Sequence, residues 1–213
     1  YYQIEKIKKG VYFPLQVQPE SVIDVMAPLF NNQIETARQV AMSLPDDYTL
    51  IVKEHPAMVG YRTPSYLEKL SRTPNVKLVD YRIPSETILK RVDLIVSPNS
   101  TTLAEAAFLN KPGIQLGNLK TTTLLPNVVR HSDMSSLTKK IKEVLVSPPI
   151  ADYEKKLTNY VAAVYDVGFE LDYERIWEQG GTTEEKEKIW ECYKKEIEDI
   201  FDAPRQKANL SLK

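Results

Sequence analysis

Two short runs hold the residue types that could do chemistry. "KEHP" at 53–56 places Lys53, Glu54 and His55 directly behind an apolar run, and "SPNSTTLAEAA" at 97–107 brings Ser97, Asn99, Ser100, Thr101 and Thr102 to a helix start. An imidazole, neutral or protonated, can donate to a phosphate oxygen, and the proline after it fixes the loop that presents it. Hydroxyls and unpaired N–H groups at a helix start suit the same anion. Each run also has an ordinary reading. Polar loop residues are mostly solvated. Ser, Thr and Asn are preferred helix caps, and Thr102 and Glu105 have the spacing of a capping box. The two readings are compatible, because a capped helix keeps spare donors. One turn into the helix, the Glu105 carboxylate could instead reach a ligand and accept both hydrogen bonds of a ribose diol. His131, the second of two histidines, has no comparable setting and reads as structural, beside a helix start.

These residues need a frame. Short β-branched runs alternate with helical patterns, which predicts βαβ units and a parallel sheet. The strand candidates are 10–17, 48–54, 75–80, 92–98 and 113–117, with helices near 31–44, 64–72, 84–91 and 100–110. Few of the strands alternate polar with apolar, so the sheet is expected to carry helices on both faces. Ligands of such sheets bind beyond the carboxyl ends of the strands, near the switch in strand order. Polar residues gather at that rim: Gln16, Gln18 and Ser21 after the first strand, "KEHP" after the second, the Ser/Thr turn after the fourth, Gly117 and Asn118 after the fifth. Beyond residue 130 the pattern is helix after helix. Ser132 or Asp133 caps the first. The second aligns Leu157, Tyr160, Val161 and Val164, and the third aligns Ile189, Tyr193, Ile197 and Ile200. Thr182 and Glu185 form a capping box, and Glu184–Lys188 and Glu191–Lys195 are pairs four residues apart.

The expected organisation is a linker or fragment start at 1–9, a Rossmann-like domain at 10–149, C-terminal helices at 150–205 and a tail at 206–213. A formal net charge of −1 in 213 residues supplies no basic field for nucleic acid or an anionic membrane. The single cysteine, Cys192, excludes an intrachain disulfide and a cysteine-built zinc site. No stretch of eighteen apolar residues and no signal-peptide pattern occurs, and the chain opens without Met, as a piece of a longer protein would. No Gly-x-Gly-x-x-Gly or Walker pattern points to a dehydrogenase or a P-loop enzyme.

The segments "FPLQVQPES" at 13–21, "LIVKEHPAM" at 50–58 and "LIVSPNSTTLAEAAFLNKPGIQLG" at 94–117 resemble the C-terminal, donor-binding half of a GT-B glycosyltransferase. More narrowly, the chain is similar over about residues 10–130 to the capsule polysaccharide and lipopolysaccharide biosynthesis family, which includes CMP-Kdo transferases and neighbours the HP-motif sialyltransferases. The resemblance implies a donor-phosphate ligand at His55 that assists departure of the nucleotide, with Ser100, Thr101 and Lys53 on the same phosphate. It implies ribose binding by Glu105, and a sugar or acceptor cleft near Gln18 and Asn99. The implied partners are a nucleotide sugar, a glycan or lipid-linked acceptor and a GT-B N-terminal domain upstream. No cofactor or metal is expected. Placement is expected in the cytoplasm or peripherally at the inner face of the membrane. Three alternatives remain open: a CDP-glycerol glycerophosphotransferase-like polymerase, a nucleotide-sugar epimerase and a non-catalytic nucleotide-binding module.

Overall fold

Adjacent residues of each inner strand feed opposite cores, which is what a sheet covered on both faces requires. In β1 (Gly10–Pro14), Val11 and Phe13 enter one core while Tyr12 enters the other. Leu50 and Val52 oppose Ile51 in β2 (Thr49–Lys53), and Leu94 and Val96 oppose Ile95 in β4 (Leu94–Ser97). With β3 (Val76–Val79), β5 (Gly113–Gln115) and β6 (Val128–Arg130) these make one sheet, parallel at every pairing, in the order β3-β2-β1-β4-β5-β6. The computed structural model describes residues 1–168 and 171–202, without the side chains of Tyr173, Glu174, Trp177, Asp199, Ile200 and Asp202.

The helices sort by face. On the first core lie α1 (Ser21–Asp24), α2 (Gln33–Met42), α3 (Pro64–Ser71) and α7 (Leu137–Leu145), contributing Ile23, Ala37, Val40, Leu70, Leu137 and Ile141. On the second lie α4 (Ser85–Leu89) and α5 (Thr102–Phe108), with Ile88, Leu89, Leu103, Ala106 and Ala107. The short α6 (Lys120–Thr123) leads into β6. In α8 (Tyr153–Val167), Leu157 and Tyr160 of the expected stripe pack on the second core, and the Tyr153 hydroxyl donates to the Ala107 carbonyl at 2.6 Å. Val164 is 50% exposed, so the stripe is in use only at its N-terminal end. The Rossmann-like α/β architecture is therefore as the sequence implies, with one strand more. β6 escapes the pattern because it has three residues at the sheet edge, two of them exposed.

The chain divides into two compact units, Tyr1–Val161 and Ala162–Lys213. In the second, Asp172 caps α9 (Tyr173–Gln179) by accepting from the Arg175 N–H at 3.0 Å. Gly180, at φ 77°, turns the chain toward α10 (Thr183–Asp202). The expected capping box is present: Glu185 takes the Thr182 N–H at 2.8 Å, and the Thr182 hydroxyl takes the Glu185 N–H at 3.2 Å. Glu191 approaches Lys194 rather than Lys195. Along α10, Tyr193 and Ile197 are exposed; the side chain of Ile200 and the 206–213 tail lie outside the described residues. Among the described residues no helix is long and apolar enough to cross a membrane.

Candidate functional site

Strand order reverses between β1 and β4, so the chains leaving these two neighbours diverge and open a crevice at their carboxyl ends. A cavity of about 420 Å³ occupies that place. Leu15, Gln16 and Val17 enter it from the β1 exit, Lys53, Glu54, His55 and Pro56 from the β2 exit, and Ser85 from the start of α4. From the β4 exit come Ser100, Thr101, Thr102 and Glu105, while Tyr12 rises from within β1.

The His55 loop is held from below. Glu54 is buried and pairs with Arg62, itself buried, and the Glu54 carboxylate also accepts the His55 N–H at 2.7 Å. Arg62 donates in addition to the Gln16 carbonyl and lies over the Tyr66 ring, 4.8 Å from its centroid. One guanidinium thus ties the β2 exit to the β1 exit. Burial pushes the Glu54 carboxyl above its ordinary value, against the pull of Arg62. His55 is N-cap to a single 3-10 turn at Pro56–Met58, and its Nδ1 accepts from the Ala57 N–H at 3.2 Å. That bond requires an unprotonated Nδ1, so the neutral ring carries its proton on Nε2, which is left as the ring's donor. Burial lowers the His55 pKa; the Lys53 and Arg62 charges act the same way and Glu20 opposes them.

Opposite His55, the Ser100 oxygen accepts from the Thr102 N–H at 3.1 Å, which leaves the Ser100 hydroxyl hydrogen for another partner. The same bond dissolves the capping box expected between Thr102 and Glu105. The N–H that Glu105 would take belongs to Ser100, and the Glu105 carboxylate makes no hydrogen bond among the described residues. Burial raises the Glu105 pKa, the Lys53 charge opposes the rise, and Glu86 adds to it. Lys53, almost fully buried, donates to the Ile83 carbonyl at 3.0 Å and the Ser85 hydroxyl at 3.1 Å, and burial lowers its pKa against the pull of Glu105.

His55, Ser100, Thr101, Lys53 and Glu105 therefore share one cavity, whereas Gln18 and Asn99 do not line it. Gln18 donates to Asp24 and to the Asn31 carbonyl and accepts from Gln33, fastening the loop after β1. Fully buried Asn99 donates to the Val22 carbonyl and accepts from Gln115 and from the Leu119 N–H, fixing the cavity wall. His131 bonds Ser136 beside the Asp133-capped turn, away from the cavity. Tyr12, Gln33, Ser85 and Arg62 carry no sequence signal of a site. Gln33 acts as a side-chain surrogate for a strand, accepting the Gln16 N–H at 2.6 Å and donating to the Gln16 carbonyl at 3.1 Å. Among the described residues no group of three or more His, Cys, Asp or Glu side chains is placed to hold a metal ion.

A family model described as "Capsule polysaccharide biosynthesis protein" matches residues 2–119. No curated protein matches the sequence. Among solved structures, the UDP-GlcNAc 2-epimerase of Methanocaldococcus jannaschii, in complex with UDP-GlcNAc and UDP, is 15% identical with a TM-score of 0.49, covering 76% of this chain and 47% of that one. The spinosyn rhamnosyltransferase SpnG is 17% identical with a TM-score of 0.48, over 73% of this chain and 41% of its own. The glycotransferase of kitacinnamycin is 14% identical with a TM-score of 0.47, over 90% and 45%. The chain spans less than half the length of each of these structures.

Proposed function

The chain belongs to the capsule polysaccharide biosynthesis protein family, and from that premise we propose that it is the donor-binding part of a glycosyltransferase acting in bacterial surface polysaccharide synthesis. The donor is a nucleotide-activated sugar, CMP-linked by preference, and the cavity at the strand-order switch is its site. One observation carries this reading: His55 from β2 and Ser100 and Thr101 from β4, 45 positions further on, line the same crevice with donor groups unspent. A phosphate seated there would receive the His55 Nε2–H and the two hydroxyls.

In transfer, an acceptor hydroxyl attacks the anomeric carbon as the bond from that carbon to the phosphate oxygen breaks, and charge grows on the departing nucleotide. Preorganised donors aimed at that oxygen lower the barrier, because they need no reorientation when the charge appears. The proposal assigns that role to His55, with the Lys53 ammonium adding positive charge from the floor. No metal is required in it. The acceptor and the general base are assigned to a second domain that closes over this one, since transfer depends on holding the acceptor in line with the donor carbon.

Calorimetry with CMP, CDP, UMP and UDP tests the reading. At least one should bind, cytidine nucleotides more tightly, and His55→Ala should weaken binding by about 1.5–3 kcal/mol, the worth of one hydrogen bond to a charged group. No binding by any of the four, or an unchanged affinity in His55→Ala, overturns it.

A further inference from the structure

The sheet does not itself place His55. Backbone pairing of β1 with β2 ends at Pro14 and Lys53, with one further bond from the Leu15 N–H to the Lys53 carbonyl at 3.0 Å. The ladder therefore stops two residues before the histidine. On the other flank β1 pairs with β4 only as far as Tyr12 and Ile95, well before Ser100. The groups that would meet one phosphate thus stand on chain ends that no strand pairing holds at a fixed span.

A buried line of side-chain bonds crosses that gap. The Glu54 carboxylate takes the His55 N–H and the Arg62 guanidinium, and the same guanidinium donates to the Gln16 carbonyl. Gln16 continues the line, its side-chain amide donating to the Ser97 hydroxyl at 3.4 Å, at the carboxyl end of β4. The loop that returns Arg62 to Glu54 also closes on its own backbone. In it the Met58 N–H donates to the His55 carbonyl at 2.9 Å and the Arg62 N–H to the Met58 carbonyl at 3.3 Å. The Arg62 side chain is 7% exposed and does not line the cavity, so apart from its charge it reaches a nucleotide only through the residues it holds. We propose that Arg62 is a positioning residue for the donor phosphate: the strap it makes with Glu54 and Gln16 sets the span between His55 and the Ser100–Thr101 turn. This rests on the donor reading above and adds to it a residue outside the cavity on which phosphate affinity depends. A lysine cannot replace it, because an ammonium is a point charge whereas the guanidinium fork meets two acceptors in fixed directions. A site whose support is loosened by a fraction of an ångström keeps its residues and loses part of its affinity.

The test is a titration of the wild-type chain, Arg62→Lys, His55→Ala and His55→Ala/Arg62→Lys with CMP and UMP and with the nucleosides cytidine and uridine. Arg62→Lys keeps the charge that faces Glu54 and removes the fork. It should weaken nucleotide binding by about fivefold or more, part of the factor lost with His55 itself, and leave nucleoside binding within about twofold. In the His55→Ala background the same substitution should change nucleotide affinity by less than about twofold, because a residue that acts through another has no effect without it. Glu54→Leu/Arg62→Leu removes the strap without leaving a buried charge alone. It should unfold cooperatively and still show the loss selective for nucleotides, which a purely structural role would not give. Unchanged nucleotide affinity in both Arg62→Lys and Glu54→Leu/Arg62→Leu overturns the positioning role and leaves the donor reading intact. So does an equal loss for nucleotides and nucleosides, or an equal loss with and without His55. Absence of nucleotide binding by the wild type overturns the donor reading, and the role of the strap with it.

Discussion

Replacing Arg62 with leucine removes the cation that faces Glu54, and the outcome follows from where that carboxylate sits. Both partners are almost wholly buried, at 7% and 6% side-chain exposure, so the lost charge cannot be made up by solvent. Breaking one side of a buried pair costs about 3–5 kcal/mol, far more than the net worth of the pair itself. For a chain of this length that corresponds to a fall of about 10 °C in the thermal midpoint. The loss should depend on pH. The folded-state pKa of Glu54 is already raised from its ordinary 4.5, burial outweighing the Arg62 charge, and it rises further once that charge is gone. A raised carboxyl binds its proton more tightly folded than unfolded, so its stability contribution is full below pH 4.5 and is lost as pH climbs through the folded pKa. Urea unfolding of wild type and Arg62→Leu at pH 4.5, 6 and 8 should therefore show a gap that widens with pH. The double variant Glu54→Leu/Arg62→Leu should recover much of the loss. A gap of equal size at every pH would refute the electrostatic account and leave only lost packing around Tyr66.

Gly117→Ala should destabilise by about 1–3 kcal/mol, because a Cβ there would sit 2.6 Å from the Asn99 side-chain oxygen and 2.7 Å from the Pro98 carbonyl; urea unfolding reads it. Asn99→Ala orphans the Leu119 N–H and the Val22 carbonyl at about 1–3 kcal/mol each, and hydrogen exchange at Leu119 should accelerate. Thr182→Ala removes half of the α10 capping box and should lower the stability of that helix by about 0.5–2 kcal/mol, visible in circular dichroism of the full chain. Asp133, held at about 2 by hydrogen bonds from Ser136 and Ser135, contributes stability above its ordinary 3.8 that is lost as pH falls toward 2. Asp133→Asn should accordingly be less stable at pH 7 and level with the wild type near pH 2.

What could be read in the sequence was what repeats along the chain. The inner strands announce themselves because residues such as Val11, Tyr12 and Phe13 must be apolar on both faces, and the polar rim stands out against them. "KEHP" is local, so Lys53, Glu54 and His55 were legible as candidates. Glu105 was legible too, but its spacing from Thr102 suggested a cap that Ser100 takes over, a competition between oxygens 5 positions apart that only the turn geometry decides. Gln18 and Asn99 had the right chemistry at the right rim, yet side-chain orientation turned both into fasteners. Tyr12 and Arg62 were illegible for another reason. A tyrosine in a strand reads as core, and an arginine in a loop reads as solvated. Each acquires its part only from the fold, Tyr12 from the cavity it lines and Arg62 from Glu54, 8 positions away, together with Gln16, 46 positions away.

The central position of β1 constrains how this site can come into being. Within this sheet, β1 is made before its neighbours: its β2 flank is covered once Thr49–Lys53 emerge, but its other flank waits for Leu94 and Ile95. Until then a wholly apolar strand keeps one open edge, and loop closure over more than eighty residues makes the closing step slow. A nascent or truncated chain ending between residues 54 and 94 therefore presents a hydrophobic edge able to pair with any other strand. Such a fragment has the histidine loop but no crevice, so affinity should arrive in one step with β4 rather than accumulate along the chain.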